Sequence, residues 1–97
     1  MKLGNRSSLT TGEQTVTSAG TAEQLPTLAI PEGFAVTITA KDTNVERIYY
    51  GGSKAEAEAH TANLDVEDWE TFYITNLDKL WVDAVNDGEG INYKVEQ

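Results

Sequence analysis

The chain has one histidine, His60, and no cysteine, so its available chemistry is that of carboxylates, hydroxyls and a single imidazole. A general base needs one group to orient it and a nucleophile to serve. His60 lies in Ala55-Glu56-Ala57-Glu58-Ala59-His60, with no serine or cysteine motif to serve, and reads as a surface histidine. Asp65, Glu67 and Asp68 form one acidic cluster, and Asp83, Asp87 and Glu89 form another. Calcium sites gather several oxygens from one loop, but Asp83-Ala84-Val85-Asn86-Asp87-Gly88-Glu89 lacks the EF-hand spacing. Asn86-Asp87-Gly88 is also what a hairpin turn needs on conformational grounds, and the turn is the preferred reading. A two-carboxylate glycosidase would need a sugar-shaped cleft, which is hard to build in a domain this small. Gly51-Gly52 and Gly88-Glu89-Gly90 match neither the P-loop nor the dinucleotide pattern. No catalytic, cofactor-binding or metal-ligating residue is assigned.

The elements that would position such residues come from a chain of 97 residues, the size of one domain. Without cysteines there are no disulfides or thiolate metal sites, so the core must hold by packing. Seven basic residues stand against 16 acidic ones, for a net charge of −9. Such a surface repels phosphates, which argues against direct nucleic-acid binding. The start, Met1-Lys2-Leu3-Gly4-Asn5-Arg6-Ser7, has no apolar run behind it and does not read as a signal peptide. Apolar runs are far short of the roughly 20 residues a membrane helix needs. The expectation is a protein made and used in solution, without membrane partners.

Residues 1–12 are rich in Ser, Thr and Gly and read as a mobile arm, leaving one domain over 13–97. Gln14-Thr15-Val16-Thr17 is β-prone, and Glu23-Gln24-Leu25 begins a second extended piece that Pro26 and Pro31 confine to an edge. Pro31-Glu32-Gly33 is a turn signal. Phe34 to Ala40 alternates cleanly, with Phe34, Val36, Ile38 and Ala40 on one side. Val45 to Tyr50 and Trp69 to Ile74 follow as strands. Ser53 to His60 is made of helix formers, with Ser53 placed to cap and Glu56 three residues later; it reads as a short helix or an irregular insertion. Leu80, Val82 and Ala84, then Ile91, Tyr93 and Val95, form the inner face of a closing strand–turn–strand unit. The expected fold is all-β: a small antiparallel β-sandwich or jelly-roll-like barrel of six to eight short strands, with at most one short helix near 53–60.

If Leu80 and Val82 face inward, Lys79, Trp81 and Asp83 face out; if Ile48 and Tyr50 face inward, Arg47 and Tyr49 face out. Exposed Trp and Tyr beside Arg is the residue set enriched at protein interfaces. The alternative is that Trp81 and Tyr49 cap the sheet or lie under the 53–68 segment. The candidate interface residues are therefore Arg47, Tyr49 and Trp81, with Arg6 and Leu9 from the arm.

Four segments together carry a resemblance: residues 17–26 (TSAGTAEQLP), 30–38 (IPEGFAVTI), 48–53 (IYYGGS) and 76–84 (NLDKLWVDA). In this order they resemble small virion structural proteins of tailed bacteriophages, of the capsid decoration or cement kind, over about residues 13–95. The resemblance implies a non-enzymatic β-sandwich on the capsid exterior. Its partner would be the major capsid protein, a homo-oligomer, favouring a trimer, is implied, and a terminal arm would reach neighbouring subunits. The chain departs from the pattern between Gly52 and Trp69, where an acidic, alanine-rich stretch replaces a short Pro-Gly connection. The family has no catalytic motif to carry over. A carbohydrate- or host-surface-binding module, stacking sugars on exposed aromatics, is the competing expectation.

Overall fold

The computed structural model describes residues 8–96. Eight strands, one short helix and a single 3₁₀ turn follow one another along the chain: β1 (Leu9–Thr15), β2 (Glu23–Gln24), β3 (Val36–Ala40), β4 (Ile48–Gly51), α1 (Lys54–Glu58), β5 (Ala62–Leu64), β6 (Trp69–Phe72), the 3₁₀ turn Leu77–Lys79, β7 (Trp81–Ala84) and β8 (Gly90–Glu96). They form two four-stranded sheets, ordered β1-β8-β3-β6 and β2-β7-β4-β5, with every pairing antiparallel. Consecutive strands pass from sheet to sheet, except β4 and β5, which pair directly. This is the strand order of an eight-stranded jelly roll.

The core lies between the sheets and is built by period-two alternation. Val36, Ile38 and Ala40 on β3, Ile48 on β4, Val82 and Ala84 on β7, and Ile91 and Val95 on β8 are buried, and Val16, Leu25, Leu64 and Leu77 close the ends. Each fully buried Val, Leu or Ile contributes about 1.5–3 kcal/mol. Tyr50 meets Phe72 edge-on across the sandwich, with ring centroids 5.5 Å apart. Its hydroxyl donates to Glu70 Oε1 at 2.8 Å, tying β4 to β6 in the opposite sheet. Burial, and then the acceptor Glu70, push the phenol up to about 12, so it remains a donor at neutral pH.

Three sequence readings change. The closing strand–turn–strand unit is not a hairpin: β7 and β8 lie in different sheets, and Val85 to Glu89 crosses between them. The crossing is fixed at Val16, which donates to the Glu89 carbonyl and accepts from Gly88 N–H, both at 2.8 Å. Second, the stretch read as an arm contains most of β1, since Leu9 to Gly12 pair with Glu96 to Tyr93. An edge strand is held chiefly by its backbone ladder, and here the neighbouring strand supplies apolar cover, because Tyr93 lies over Gly12. Third, β3 and β4 begin later than read, and Phe34 and Ile74 pack against the core from outside the strands.

The 53–60 segment is a helix of five residues, too short to persist alone. Ser53 Oγ accepts from Glu56 N–H at 3.2 Å, and Glu56 Oε1 accepts from Gly52 N–H at 2.9 Å. The helix persists because Ala57 is buried against β4 at Gly51, where an added Cβ would stand 2.7 Å from the Ala57 nitrogen. It therefore covers the outer side of the β2-β7-β4-β5 sheet.

Glycine at 90 is required for a different reason: a Cβ there would overlap the Gln14 carbonyl, which is backbone and cannot swing aside. At Gly12 the obstacle is the far end of the Tyr93 side chain. Gly90→Ala is expected to cost about 3 kcal/mol and Gly12→Ala about 1 kcal/mol. Thermal unfolding followed by circular dichroism checks this order.

Candidate functional site

The densest side-chain chemistry lies on the outer side of the β2-β7-β4-β5 sheet. Tyr49 and Asp83 stand directly opposite each other on β4 and β7. After α1 the chain reaches His60 with φ 58, a left-handed conformation that costs a non-glycine residue about 1 kcal/mol or more. This bend returns the imidazole onto the sheet. It stacks on Tyr49, with ring centroids 3.9 Å apart and planes within 6°. His60 Nε2 lies 2.7 Å from Asp83 Oδ2. His60 is therefore not the plain surface histidine the sequence suggested. Asp83, expected to face out, does lie on the outer side of its strand, yet it has no exposed surface.

Asp83 is buried because the 17–22 loop roofs it. Gly20 N–H donates to Asp83 Oδ1 at 2.9 Å, Ala19 N–H to Asp87 Oδ1 at 2.7 Å, and Ala22 N–H to Glu58 Oε2 at 2.9 Å. Three carboxylates from β7, the β7–β8 crossing and α1 thus receive three amides of one loop. Charged acceptors make such hydrogen bonds roughly twice as strong as neutral ones. Lys54 holds Glu58 in place at 2.8 Å. That lysine, followed by the Ala22 amide, keeps the Glu58 carboxyl below its ordinary value.

The second carboxylate cluster is also committed to backbone. Glu89 accepts from the amides of Val45 and Glu46, Asp87 serves Ala19, and Asp83 serves Gly20. Asn44, itself buried, holds Gly90 by both its amide groups, at 2.9 and 3.1 Å. Among the described residues no group of three or more His, Asp or Glu side chains is arranged to hold a metal ion. The His60–Asp83 pair has the orienting half of a catalytic triad. Among the described residues, no hydroxyl is hydrogen-bonded to the imidazole. As it stands, the pair fastens the loop and the end of α1 to the sheet.

The candidate interface residues do not form one patch. Arg6 lies outside the described residues. Leu9 is on β1 in the other sheet and is exposed. Arg47 is exposed and bridges Asp65 at 3.2 Å and Asn63 at 3.4 Å. Tyr49 and Trp81 are half-buried on the face that α1 and His60 cover, as in the alternative the sequence left open. The strongly exposed aromatics are Trp69, 66% exposed on β6, and Tyr73, 78% exposed just after it. The sequence reading placed Trp69 and Tyr73 in a strand and selected neither for the interface; neither carries a local signal that separates an exposed edge aromatic from a core one.

The β1-β8-β3-β6 sheet presents a different outer side. Thr11, Glu13, Thr37, Thr39, Asn92 and Lys94 line an open depression of about 440 Å³ on it. Trp69 pairs with Thr39 at its border. Comparison with models of known families, with curated proteins and with solved structures yields no match.

Asp83→Ala strands the Gly20 amide and His60 together, and is expected to lower stability by about 3 kcal/mol. Asp83→Asn keeps one acceptor and should recover part of this; chemical denaturation measures both. Glu58 has a folded value below its ordinary 4.5, so its stabilising contribution is present above that pH and is lost as pH falls through the folded value. The gap in melting temperature between the parent and Glu58→Gln should therefore close on acidification below about pH 4.5.

Proposed function

We propose that the chain is a non-enzymatic virion structural protein that decorates a phage capsid and stabilises it through repeated protein–protein contacts. The observation that carries this reading is the unequal treatment of the two outer faces. One is closed by α1, His60 and the 17–22 loop, while the other is open and bordered by the exposed Trp69. Trp and Tyr are among the side chains that most often dominate binding energy once a partner covers them. The jelly roll is used by viral capsid domains and by lectins, so fold alone does not choose between them. What favours the virion reading is the resemblance of the segments 17–26, 30–38, 48–53 and 76–84 to capsid decoration proteins.

The mechanism is mass action. A protein that binds the assembled shell and not its separated subunits stabilises the shell, and many copies repeat a modest contact. The acidic body calls for a basic receiving surface on the major capsid protein.

A second reading, a carbohydrate- or host-surface-binding module, is favoured by the depression itself. Three threonine hydroxyls, an amide, an ammonium and a carboxylate beside an exposed indole are a suitable set for sugar hydroxyls and a C–H face.

Incubation of the purified protein with expanded capsids, followed by sedimentation, distinguishes the two. Stoichiometric binding and a raised shell melting temperature are expected. Trp69→Ala and Tyr73→Ala together should weaken binding by about 30-fold, as hot-spot truncations of about 2 kcal/mol do. No binding to capsids of the same phage, with indole fluorescence quenched by a glycan, would replace the first reading with the second.

A further inference from the structure

A sandwich of two open sheets has four edges, and each edge strand shows peptide groups that another chain can pair with. Three of these edges are short. β2 has two residues and runs into Leu25-Pro26; β5 has three; β6 has four, with Glu70 among them. The fourth is β1, seven residues long and, among the described residues, joint longest with β8. It contains no proline and no lysine. Its register against β8 runs without a bulge from Leu9↔Glu96 to Thr15↔Gly90. Of the usual devices that blunt an edge it has only one charge, Glu13, and that charge is ion-paired with Lys41.

The direction in which each peptide group of β1 points follows from its ladder with β8. Val16, one residue beyond β1, donates to Glu89 on the β8 side. In an antiparallel ladder, alternate residues point their N–H and C=O the same way. Thr10, Gly12 and Gln14 therefore face β8, and Leu9, Thr11, Glu13 and Thr15 face the open edge. The far end of that edge is already closed, because the Thr15 carbonyl accepts from Gln14 Nε2 at 3.1 Å and Thr17 N–H donates to Glu23 Oε2 at 2.7 Å. Among the described residues, the open stretch is thus Leu9 to Glu13, centred on Thr11.

We propose that this edge pairs with the same edge of a second copy, antiparallel about a two-fold axis at Thr11. The stretch is self-complementary in that register: Thr11 meets Thr11 in a pair that exchanges both hydrogen bonds, and Leu9 meets Glu13. The two Glu13 carboxylates do not oppose one another, and each is ion-paired with its own Lys41. An isologous contact of this kind closes at two copies. It differs from the trimer that the sequence resemblance implies, and it stands independently of capsid binding.

The test uses the full chain. Light scattering after size exclusion should give twice the 10.6 kDa chain mass, dissociating on dilution. Thr11→Pro removes an outward N–H that the β1–β8 ladder does not use, and should give a folded monomer by circular dichroism. Thr11→Lys keeps that N–H but opposes two ammonium groups at the axis, and should weaken the dimer about tenfold at low salt. In the parent, the Thr11 and Glu13 amides should exchange slowly with solvent, and speed up on dilution while Gly12 and Gln14 stay protected. That readout stands even if both variants fail to fold. A single-chain mass at every attainable concentration, a trimer, or a dimer that Thr11→Pro leaves intact would overturn the proposal. A monomer whose capsid binding is abolished by Thr11→Pro would overturn it in favour of a strand from the capsid protein.

Discussion

A carboxylate with no exposed surface organises one half of this molecule. Asp83 sits on the outer side of β7, where a strand's alternation would leave it in water, and is covered because it draws a roof over itself. Leaving such a group without partners would cost several kcal/mol. The Gly20 amide and the His60 imidazole are both aimed at it, and each brings structure along. Gly20 brings the 17–22 loop, whose neighbouring amides find Asp87 and Glu58. His60 brings the end of α1 and stacks on Tyr49. The helix, five residues long and unable to persist alone, is held by these ties and by Ala57 at Gly51. One sheet face is consumed in this way, and the opposite face is left as the broad open surface.

The all-β class, the alternating strands, the Ser53 cap and the inner faces of β3, β7 and β8 were legible because they depend on local pattern. Pairing partners were not. The inner face Leu80, Val82, Ala84 and then Ile91, Tyr93, Val95 reads identically whether two strands form a hairpin or cross between two sheets, since both arrangements bury every second residue. What decides for the crossing is the exchange between Val16 and the Gly88–Glu89 backbone, about 70 residues away in sequence, which the β7–β8 segment does not encode by itself. β1 was hidden for a related reason. Its Thr- and Gly-rich composition offers little to bury, but an edge strand needs a ladder more than a core side chain, and Tyr93 supplies the cover. The His60–Asp83 tie joins residues with no shared motif. Only the folded strand pair brings them together.

The same distinction limits what the fold says about role. A jelly roll frames a capsid protein, a lectin or an enzyme equally well. Here the titratable groups that could suggest catalysis are occupied with backbone: Asp83, Asp87, Glu58 and Glu89 accept amides, and His60 accompanies Asp83. Groups committed to holding loops cannot reorganise around a substrate without releasing those loops. The opposite face carries hydroxyls, Asn92 and Lys94, with an indole at its border.

Geometry links the two proposals. β1 and β6 are the opposite edges of the open sheet. Pairing two copies through β1 therefore joins two open faces into one eight-stranded surface and puts a Trp69 at each far border. With strands about 4.8 Å apart, seven spacings separate the outer strands by roughly 34 Å before twist shortens the span. On the two proposals together, a pair of this form would meet a shell at two points. Once the first contact is made, the second forms at an effective concentration set by that rigid span, so weak single contacts sum to firm attachment wherever the receiving surface repeats at a matching distance. A single domain of this size buries little at any one contact. In the proposed pair, the length of β1 would supply what the small face lacks.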